Sequence, residues 1–143
     1  MKAFDKALEI DPQNSITWYN KGLALFELAK YEEAIEACDK AIEINPNYTE
    51  AWNNRGSAFF WIGNYEETIK AYNKTIELDP KFSMAWYNRA CVYSLTNNTE
   101  QSIFDLRHAI DINPAYKEMA KMDSKFQNLW GTEGFKKLLN TTK

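Results

Sequence analysis

The chain has 143 residues, of which 45% are apolar and 15% aromatic, so its composition predicts a folded domain rather than a disordered chain. The formal net charge is −3 and no basic run exceeds two residues, which excludes a surface that neutralises many nucleic-acid phosphates. The first residues lack the apolar core of a secretion signal, and the uncharged stretches, such as 56–65, are too short to span a bilayer. These features predict a soluble, cytoplasmic protein.

A repeat of 34 residues runs along the chain. The four prolines, each 34 residues after the one before, are Pro12, Pro46, Pro80 and Pro114. The segments that precede them share one pattern and occupy 7–11, 41–45, 75–79 and 109–113. Tryptophans keep the same period at Trp18, Trp52 and Trp86. A fixed period of this length predicts a solenoid of stacked structural units.

Each unit divides into two predicted helices. In the second helix, apolar residues recur at the spacing of an α-helix, as in Ala34, Ile35, Cys38, Ala41 and Ile42. The proline ends this helix because it lacks an N–H group and biases the preceding residue out of the α region. In chain order, we predict helices over 1–10, 15–28, 31–44, 49–62, 65–78, 83–95, 99–112, 116–129 and 132–139.

The unit resembles the tetratricopeptide repeat (TPR), whose pattern reads W-x2-L-G-x2-Y, then A-x3-F, then P. The first unit matches it with Trp18, Gly22, Leu25, Ala34, Cys38 and Pro46. The second unit matches with Trp52, Gly56, Phe59, Thr68, Tyr72 and Pro80, and the third with Trp86, Ala90, Tyr93, Ser102, Leu106 and Pro114. The array is similar to the TPR domains of O-linked N-acetylglucosamine transferases and of other scaffold proteins. Lys21, Arg55 and Arg89 depart from the pattern, which has Leu there.

This resemblance implies an all-α fold, a right-handed superhelical α-solenoid of antiparallel helix pairs. The single domain 1–143 would hold a second helix of a partial unit at 1–14, full units at 15–48, 49–82 and 83–116, and C-terminal capping helices at 117–143. The small residues Gly22, Gly56 and Ala90 would let the two helices of each unit approach closely.

The sequence offers no catalytic or metal-binding constellation, so we expect neither an enzyme nor a cofactor. Catalysis needs a nucleophile, a base and an orienting group within reach of one another. The only histidine, His108, shares its repeat position with Lys40 and Lys74, which predicts an exposed surface residue. Cys38 and Cys91 have no metal-type spacing, and both are expected to be reduced packing residues, with Cys91 facing the groove described next.

In the TPR family, the first helices of the units line a concave groove and the second helices form the convex face. Most of the charge lies on the second helices of this chain, so the resemblance implies a nearly neutral groove on a charged shell. The predicted partner-binding residues, all on first helices, are Tyr19, Asn20, Leu23, Phe26, Asn53, Asn54, Ser57, Phe60, Trp61, Met84, Tyr87, Asn88 and Cys91.

Asparagine recurs at one groove position, as Asn20, Asn54 and Asn88. Its side-chain amide can pair with both the N–H and the C=O of an extended peptide. A similar row of asparagines grips substrate backbone in O-linked N-acetylglucosamine transferases. We therefore expect the three to lie in a row on the concave surface, at least partly exposed, and to bind a ligand's backbone. The alternative is that they brace adjacent units.

Two other sites known in the family are not expected. The carboxylate clamp that binds acidic C-terminal tails would map to Tyr19, Leu23, Asn54, Met84 and Asn88, of which only Asn54 fits. Without cations, burial of a ligand carboxylate would be unfavourable. The recurring cations, which follow the three asparagines by one residue, are expected to lie across unit interfaces and pair with acidic residues rather than to form a phosphate-binding track.

These features predict a non-catalytic scaffold that holds an extended or helical partner segment in its groove. The alternatives are a structural self-assembly segment, or the substrate-recruiting part of a longer TPR-containing protein. Phe4 and Leu8 align with packing residues of complete units, so we expect residues 1–10 to leave apolar surface that a second copy covers in a homodimer. The alternative is that helix 1–10 frays and the chain stays monomeric.

Overall fold

In a computed structural model, which describes residues 1–141, every regular element is an α-helix or a short 3-10 helix. In chain order these are α1 (Lys2–Ile10), α2 (Ser15–Glu27), α3 (Tyr31–Ile44), α4 (Thr49–Trp61), α5 (Tyr65–Leu78), α6 (Ser83–Leu95), α7 (Thr99–Ile112), α8 (Ala115–Met122), the 3-10 helix Ser124–Phe126, and α9 (Glu133–Thr141). The predicted all-α solenoid of helix pairs is confirmed, with α2, α4 and α6 as first helices and α3, α5 and α7 as second helices.

The helices form two compact units. In the first unit, Met1–Leu78, α2 packs on α3, α3 on α4, and α4 on α5, while α1 and α4 both contact α2. In the second unit, which begins at Asp79, α6 packs on α7 and on the 3-10 helix, and α7 also contacts α8 and α9. Sequential neighbours therefore supply the core of each unit, as expected for a repeat array.

The predicted helix over 116–129 is wrong in its second half. Helix α8 ends at Met122, and Asp123 has an extended backbone. The Asp123 side chain accepts a hydrogen bond of 3.0 Å from the Lys125 backbone N–H, which favours a turn over continued helix. The 3-10 helix Ser124–Phe126 follows and buries Phe126.

Close approach within a helix pair explains two glycines. A Cβ atom on Gly56 would lie 2.8 Å from Cε1 of Tyr72, and one on Gly22 would lie 3.0 Å from Sγ of Cys38. Both distances are shorter than a carbon atom tolerates at a packed interface. The expectation of close approach at these positions is confirmed.

The connection between consecutive repeats is fastened by the same two hydrogen bonds each time. The tryptophan indole N–H donates to the carbonyl of the proline six residues earlier, with distances of 2.9 Å for Trp18–Pro12, 2.9 Å for Trp52–Pro46 and 2.8 Å for Trp86–Pro80. The residue before each proline accepts a bond from the backbone N–H two residues later, and these acceptors are Asp11, Asn45, Asp79 and Asn113. Such side-chain turns define where each first helix begins.

The turn inside each repeat requires a left-handed residue, and three different residue types fill that place. They are Ala29, Gly63 and Asn97, with φ of 59°, 82° and 63°. In each turn the next residue donates its backbone N–H to the carbonyl five residues earlier, as Lys30 does to Leu25 at 2.9 Å. This arrangement satisfies carbonyl groups at the helix end. Alanine is the least suited of the three, because its Cβ is strained at positive φ.

We therefore expect Ala29→Gly to stabilise the protein by about 1 kcal/mol, since glycine adopts this conformation without strain. Gly63→Ala is the matched reverse change, and it tests the backbone alone because the added Cβ would meet no atom within 4 Å. It should destabilise by about 1 kcal/mol. Urea unfolding monitored by circular dichroism measures both values. A lower unfolding midpoint for Ala29→Gly would contradict this explanation of the turn.

Candidate functional site

The first helices of the first unit present one unburied stripe each. On α2 the residues lie four, three and four positions apart, a spacing that places them on one side of a helix. The same repeat positions recur on α4, which contacts α2. We call these two stripes together the α2/α4 face, and its residues are Ile16, Asn20, Leu23, Glu27, Glu50, Asn54, Ser57 and Trp61.

Every residue of the α2/α4 face is exposed or half-buried. Ile16 is 60% exposed and Trp61 is 57% exposed, so both present large apolar side chains to solvent. On the other side of α2, Gly22 and Leu25 are buried against α3. The fold therefore uses one side of these helices for its core and leaves the other side for contact with solvent or a partner.

Two predicted site residues, Tyr19 and Asn54, contact each other across α2 and α4. The Tyr19 ring lies 5.0 Å from the Tyr48 ring, which orients it towards the start of α4. Burial and the nearby Glu50 carboxylate raise the pKa of Tyr19. Tyr19 therefore joins adjacent repeats.

Aromatic rings line the end of the face near Trp61. Tyr31, the first residue of α3, stacks on Trp61 with ring centroids 6.1 Å apart and planes 11° apart. Phe26 meets Tyr31 edge-on at 5.4 Å, and Phe60 stacks on Tyr65 at 5.6 Å. Phe26 and Phe60 are only half-buried, so these rings support Trp61 and add apolar surface beside it.

The predicted asparagines differ in exposure. Asn20 is exposed, whereas Asn54 and Asn88 are half-buried. The Asn54 side-chain nitrogen is itself buried, beside Tyr19. Each asparagine keeps part of its surface in solvent. Their role in gripping a ligand stays a prediction.

Three of the predicted partner-binding residues are buried: Asn53, Tyr87 and Cys91. A buried side chain cannot meet a ligand without a rearrangement, so these residues serve packing. In the second unit the cause is the C-terminal segment. Tyr87 donates a hydrogen bond of 2.8 Å to Asp123, and its ring contacts Tyr116 and Phe126. Among the predicted α6 residues, Met84 is exposed and Asn88 is half-buried.

The sequence did not predict that the C-terminal segment covers α6, because residues 117–132 do not follow the 34-residue repeat. Asn128 donates through its side-chain nitrogen to the Ser94 carbonyl at 3.3 Å, which holds the segment after the 3-10 helix on α6. The one available signal was Phe126, an aromatic residue in a segment that resembles no first helix. Ile16, Glu27 and Glu50, which the resemblance also places in the groove, are unburied members of the stripes on α2 and α4.

The recurring cations are engaged in ion pairs, as expected. Lys21 pairs with Asp5 at 2.7 Å, and Arg55 pairs with Asp39 at 2.6 Å, each aspartate being 16 residues earlier. Arg89 instead pairs with Asp105 of its own repeat, through two bonds of 2.7 Å each. Each cation also lies over the tryptophan of its repeat, Trp18, Trp52 or Trp86. These contacts leave little basis for a phosphate-binding track.

The cysteines and the histidine are packing residues. Burial raises the pKa of the Cys38 thiol to about 12 and raises the pKa of the Cys91 thiol as well, so both thiols are protonated at neutral pH. His108 is half-buried rather than exposed, and its ring stacks on Trp86 at 4.3 Å. The expectation of a fully solvated histidine was wrong, because Trp86 and Phe104 flank it.

Within residues 1–141, no group of three or more His, Cys, Asp or Glu side chains could hold a metal ion. None of the helices described has both the length and the apolar character needed to cross a membrane. In α1, Leu8 is buried and Phe4 half-buried, so the expected apolar surface at these two residues is largely absent. They pack down on α2, which leaves Ile10, 85% exposed, as the large apolar residue on the surface of α1.

Models of the tetratricopeptide repeat match residues 15–48, 49–82 and 71–104, which together span well over half of the chain. No curated protein sequence matches it. Among solved structures, a crystal structure of MamA is similar with a TM-score of 0.82 and 25% identity, over 97% of this chain and 84% of that one.

A second similar structure is the first TPR of Spaghetti (RPAP3) bound to the HSP90 peptide SRMEEVD. Its TM-score is 0.71 at 20% identity, and the match covers 91% of this chain and 94% of that one. The MamA RS-1 ArsTM double mutant has a TM-score of 0.77 at 20% identity, over 96% of this chain and 80% of that one. At 20% identity both structures show the fold alone.

The Arg89–Asp105 pair gives a stability prediction. Asp105 is buried and bonded at both oxygens, so Asp105→Asn should destabilise the protein by about 3 kcal/mol. Asp39→Asn removes the equivalent but exposed carboxylate and should cost less than about 1 kcal/mol. Guanidinium unfolding of both variants measures the difference. Equal losses of unfolding free energy in the two variants would show that burial does not make the Arg89–Asp105 pair more stabilising than the Arg55–Asp39 pair.

Proposed function

Because the chain belongs to the tetratricopeptide-repeat family, we propose that it is a non-catalytic scaffold whose α2/α4 face holds a segment of a partner protein. The observation that carries this proposal is the stripe of eight unburied residues on neighbouring first helices. Within it, Ile16 and Trp61 each keep more than half of a large apolar side chain exposed. Apolar and aromatic side chains of this kind commonly anchor protein partners.

Polar members of the face support binding of a peptide backbone. Asn20 and Asn54 occupy the same repeat position on α2 and α4, and an asparagine amide both donates and accepts hydrogen bonds. From Ile16 to Glu27 the face extends about 16 Å along α2. That length accommodates about five residues of an extended segment or three turns of a helix.

The apolar anchors define how the segment is held. One anchor meets Trp61 with its aromatic neighbours, and a second meets Ile16 and Leu23 at the other end of α2. Between them, Asn20, Asn54 and Ser57 face polar groups of the ligand. Ser57 is already hydrogen-bonded to the Tyr72 hydroxyl at 2.9 Å, so it offers less capacity than the asparagines.

An acidic C-terminal tail is not the ligand that we propose. The similar RPAP3 structure contains the peptide SRMEEVD, which carries more carboxylates than cations. On the α2/α4 face, the charged side chains are carboxylates, and Tyr19 and Leu23 stand where a clamp would need a lysine and an asparagine. Burying a ligand carboxylate beside them would cost free energy without an ion pair in return.

A binding experiment tests the role of Trp61. Twelve-residue peptides are selected from a displayed random library against the protein, and their affinities are measured by fluorescence anisotropy. Trp61→Ala should weaken binding by about tenfold or more, since central aromatic anchors dominate such interfaces. Phe104→Ala is a matched control, because Phe104 is also 57% exposed but lies on α7. Selected peptides that bind the Trp61→Ala variant as tightly as the unchanged protein would contradict the proposal.

The same peptides test whether apolar contact or charge supplies most of the affinity. Apolar burial is insensitive to ionic strength, whereas exposed charges are screened within about 10 Å at 0.1 M salt. We expect the dissociation constant to rise less than about tenfold between low and physiological ionic strength. Titrations at several sodium chloride concentrations measure this, and a larger rise would show that ion pairs dominate.

A further inference from the structure

The α2/α4 face carries charge of one sign. Glu27, at the end of α2, and Glu50, in the first turn of α4, are its charged members, and both are exposed. Neither carboxylate has an ion-pair partner among the residues that the structure describes. Glu50 complements the helix dipole at the start of α4, whereas Glu27, at the end of α2, has no such compensation.

The cations of the same two helices are engaged on the other side. Lys21 and Arg55 sit about a third of a turn or more from the stripe, where they pair with Asp5 and Asp39. Arg55 also contacts Glu67 at 3.6 Å. The nearest remaining cation in the sequence is Lys30, which is exposed in the turn after α2 rather than on the stripe. Among the described residues, neither carboxylate on the face is thus paired with a cation of α2 or α4.

Within the described part of the chain, Trp61 also lacks a cationic partner, unlike the other two tryptophans of the first unit. Lys21 lies 5.4 Å from the Trp18 ring centre, and Arg55 lies 5.8 Å from that of Trp52. Within residues 1–141, no such cation covers the ring of Trp61, which stacks on Tyr31 and is more than half exposed. An exposed indole is the best side chain for binding a cation through its ring face.

Glu27 and Trp61 lie side by side at one end of the face. They occupy the same repeat position on adjacent first helices, whose axes are about 8–10 Å apart when packed. Phe26, the residue before Glu27, contacts Tyr31, and Tyr31 stacks on Trp61, so the ends of α2 and α4 are joined through Tyr31. A carboxylate and an indole ring at this separation can both contact one lysine or arginine side chain.

We propose that the partner segment is basic, with one arginine or lysine between Glu27 and Trp61 and a second beside Glu50. This inference rests on the proposed function and states the charge of its ligand. The two sites are diagonally opposite on the face, about 16–20 Å apart. An extended ligand spans that distance with basic residues five or six positions apart, and apolar side chains between them meet Ile16 and Leu23.

Charge complementarity favours this occupant over a neutral or acidic one. A neutral segment that covered the face would remove water from Glu27 and Glu50 without replacing its hydrogen bonds. An acidic segment would add repulsion to that cost. A basic segment offsets the desolvation of both carboxylates and also uses the ring of Trp61.

The test compares the charge of selected peptides. Twelve-residue random peptides are selected on the protein and on the Glu27→Gln/Glu50→Gln double variant, after circular dichroism shows equal thermal midpoints. Relative to the unselected pool, peptides from the unchanged protein should be enriched in pairs of basic residues five or six positions apart. For one such peptide, the double variant should bind about tenfold more weakly. Lys30→Gln is the matched control, which removes a nearby charge of opposite sign and should not weaken binding.

The outcomes separate this inference from the function on which it rests. If no selected peptide depends on Trp61, the proposed function itself fails. If peptides depend on Trp61 but are neutral or acidic, or if the double variant binds basic peptides unchanged, the basic ligand is overturned while the scaffold function stands. Basic peptides that lose affinity with both Trp61→Ala and the double variant support both.

Discussion

The hydrogen bond from each tryptophan indole to the proline carbonyl six residues earlier is the constraint on which the register of the repeats depends. It has nearly the same length in all three repeats, between 2.8 and 2.9 Å. Because proline ends one helix and tryptophan lies in the first turn of the next, this bond fixes where every first helix begins. Residues at equal repeat positions then occupy equal places, so Ile16 and Glu50 start matching stripes on α2 and α4.

The recurring cation of each repeat pairs with an aspartate, but that aspartate comes from different helices in different repeats. Lys21 and Arg55 pair with an aspartate of the preceding second helix, where the third repeat has Asn73 instead. Arg89 pairs with Asp105, which stands where the other repeats have alanine. In the third repeat the carboxylate is therefore buried within its own repeat, where two hydrogen bonds from Arg89 hold it. The physical requirement is a carboxylate near the guanidinium, and the repeat pattern alone does not say which helix provides it.

The parts of the fold that follow the repeat were predictable from the sequence. The bounds of α2 to α7 and the close approach at Gly22 and Gly56 agree with the structure because one period governs them all. Where burial or contact depends on a departure from the period, it could not be predicted from the repeat. Tyr87 and Cys91 are buried because the chain turns at Asp123, which places Phe126 against α6. Similarly, His108 stacks on Trp86 and contacts Phe104, which stands where the other repeats have Glu36 and Lys70.

The two sides of each first helix in the first unit differ in role: one packs in the core, and the other forms the proposed binding face. The buried side uses small residues such as Gly22 and Gly56, which let the two helices of a pair approach closely. Large apolar exposure on the other side carries a solubility cost, since such surface favours association in water. The charged second helices offset that cost, as the many exposed carboxylates and lysines of α3 and α5 show. Exposure of Trp61 and Ile16 is therefore tolerable on this scaffold, and a carboxylate at each end of the stripe restricts which partner gains from covering them.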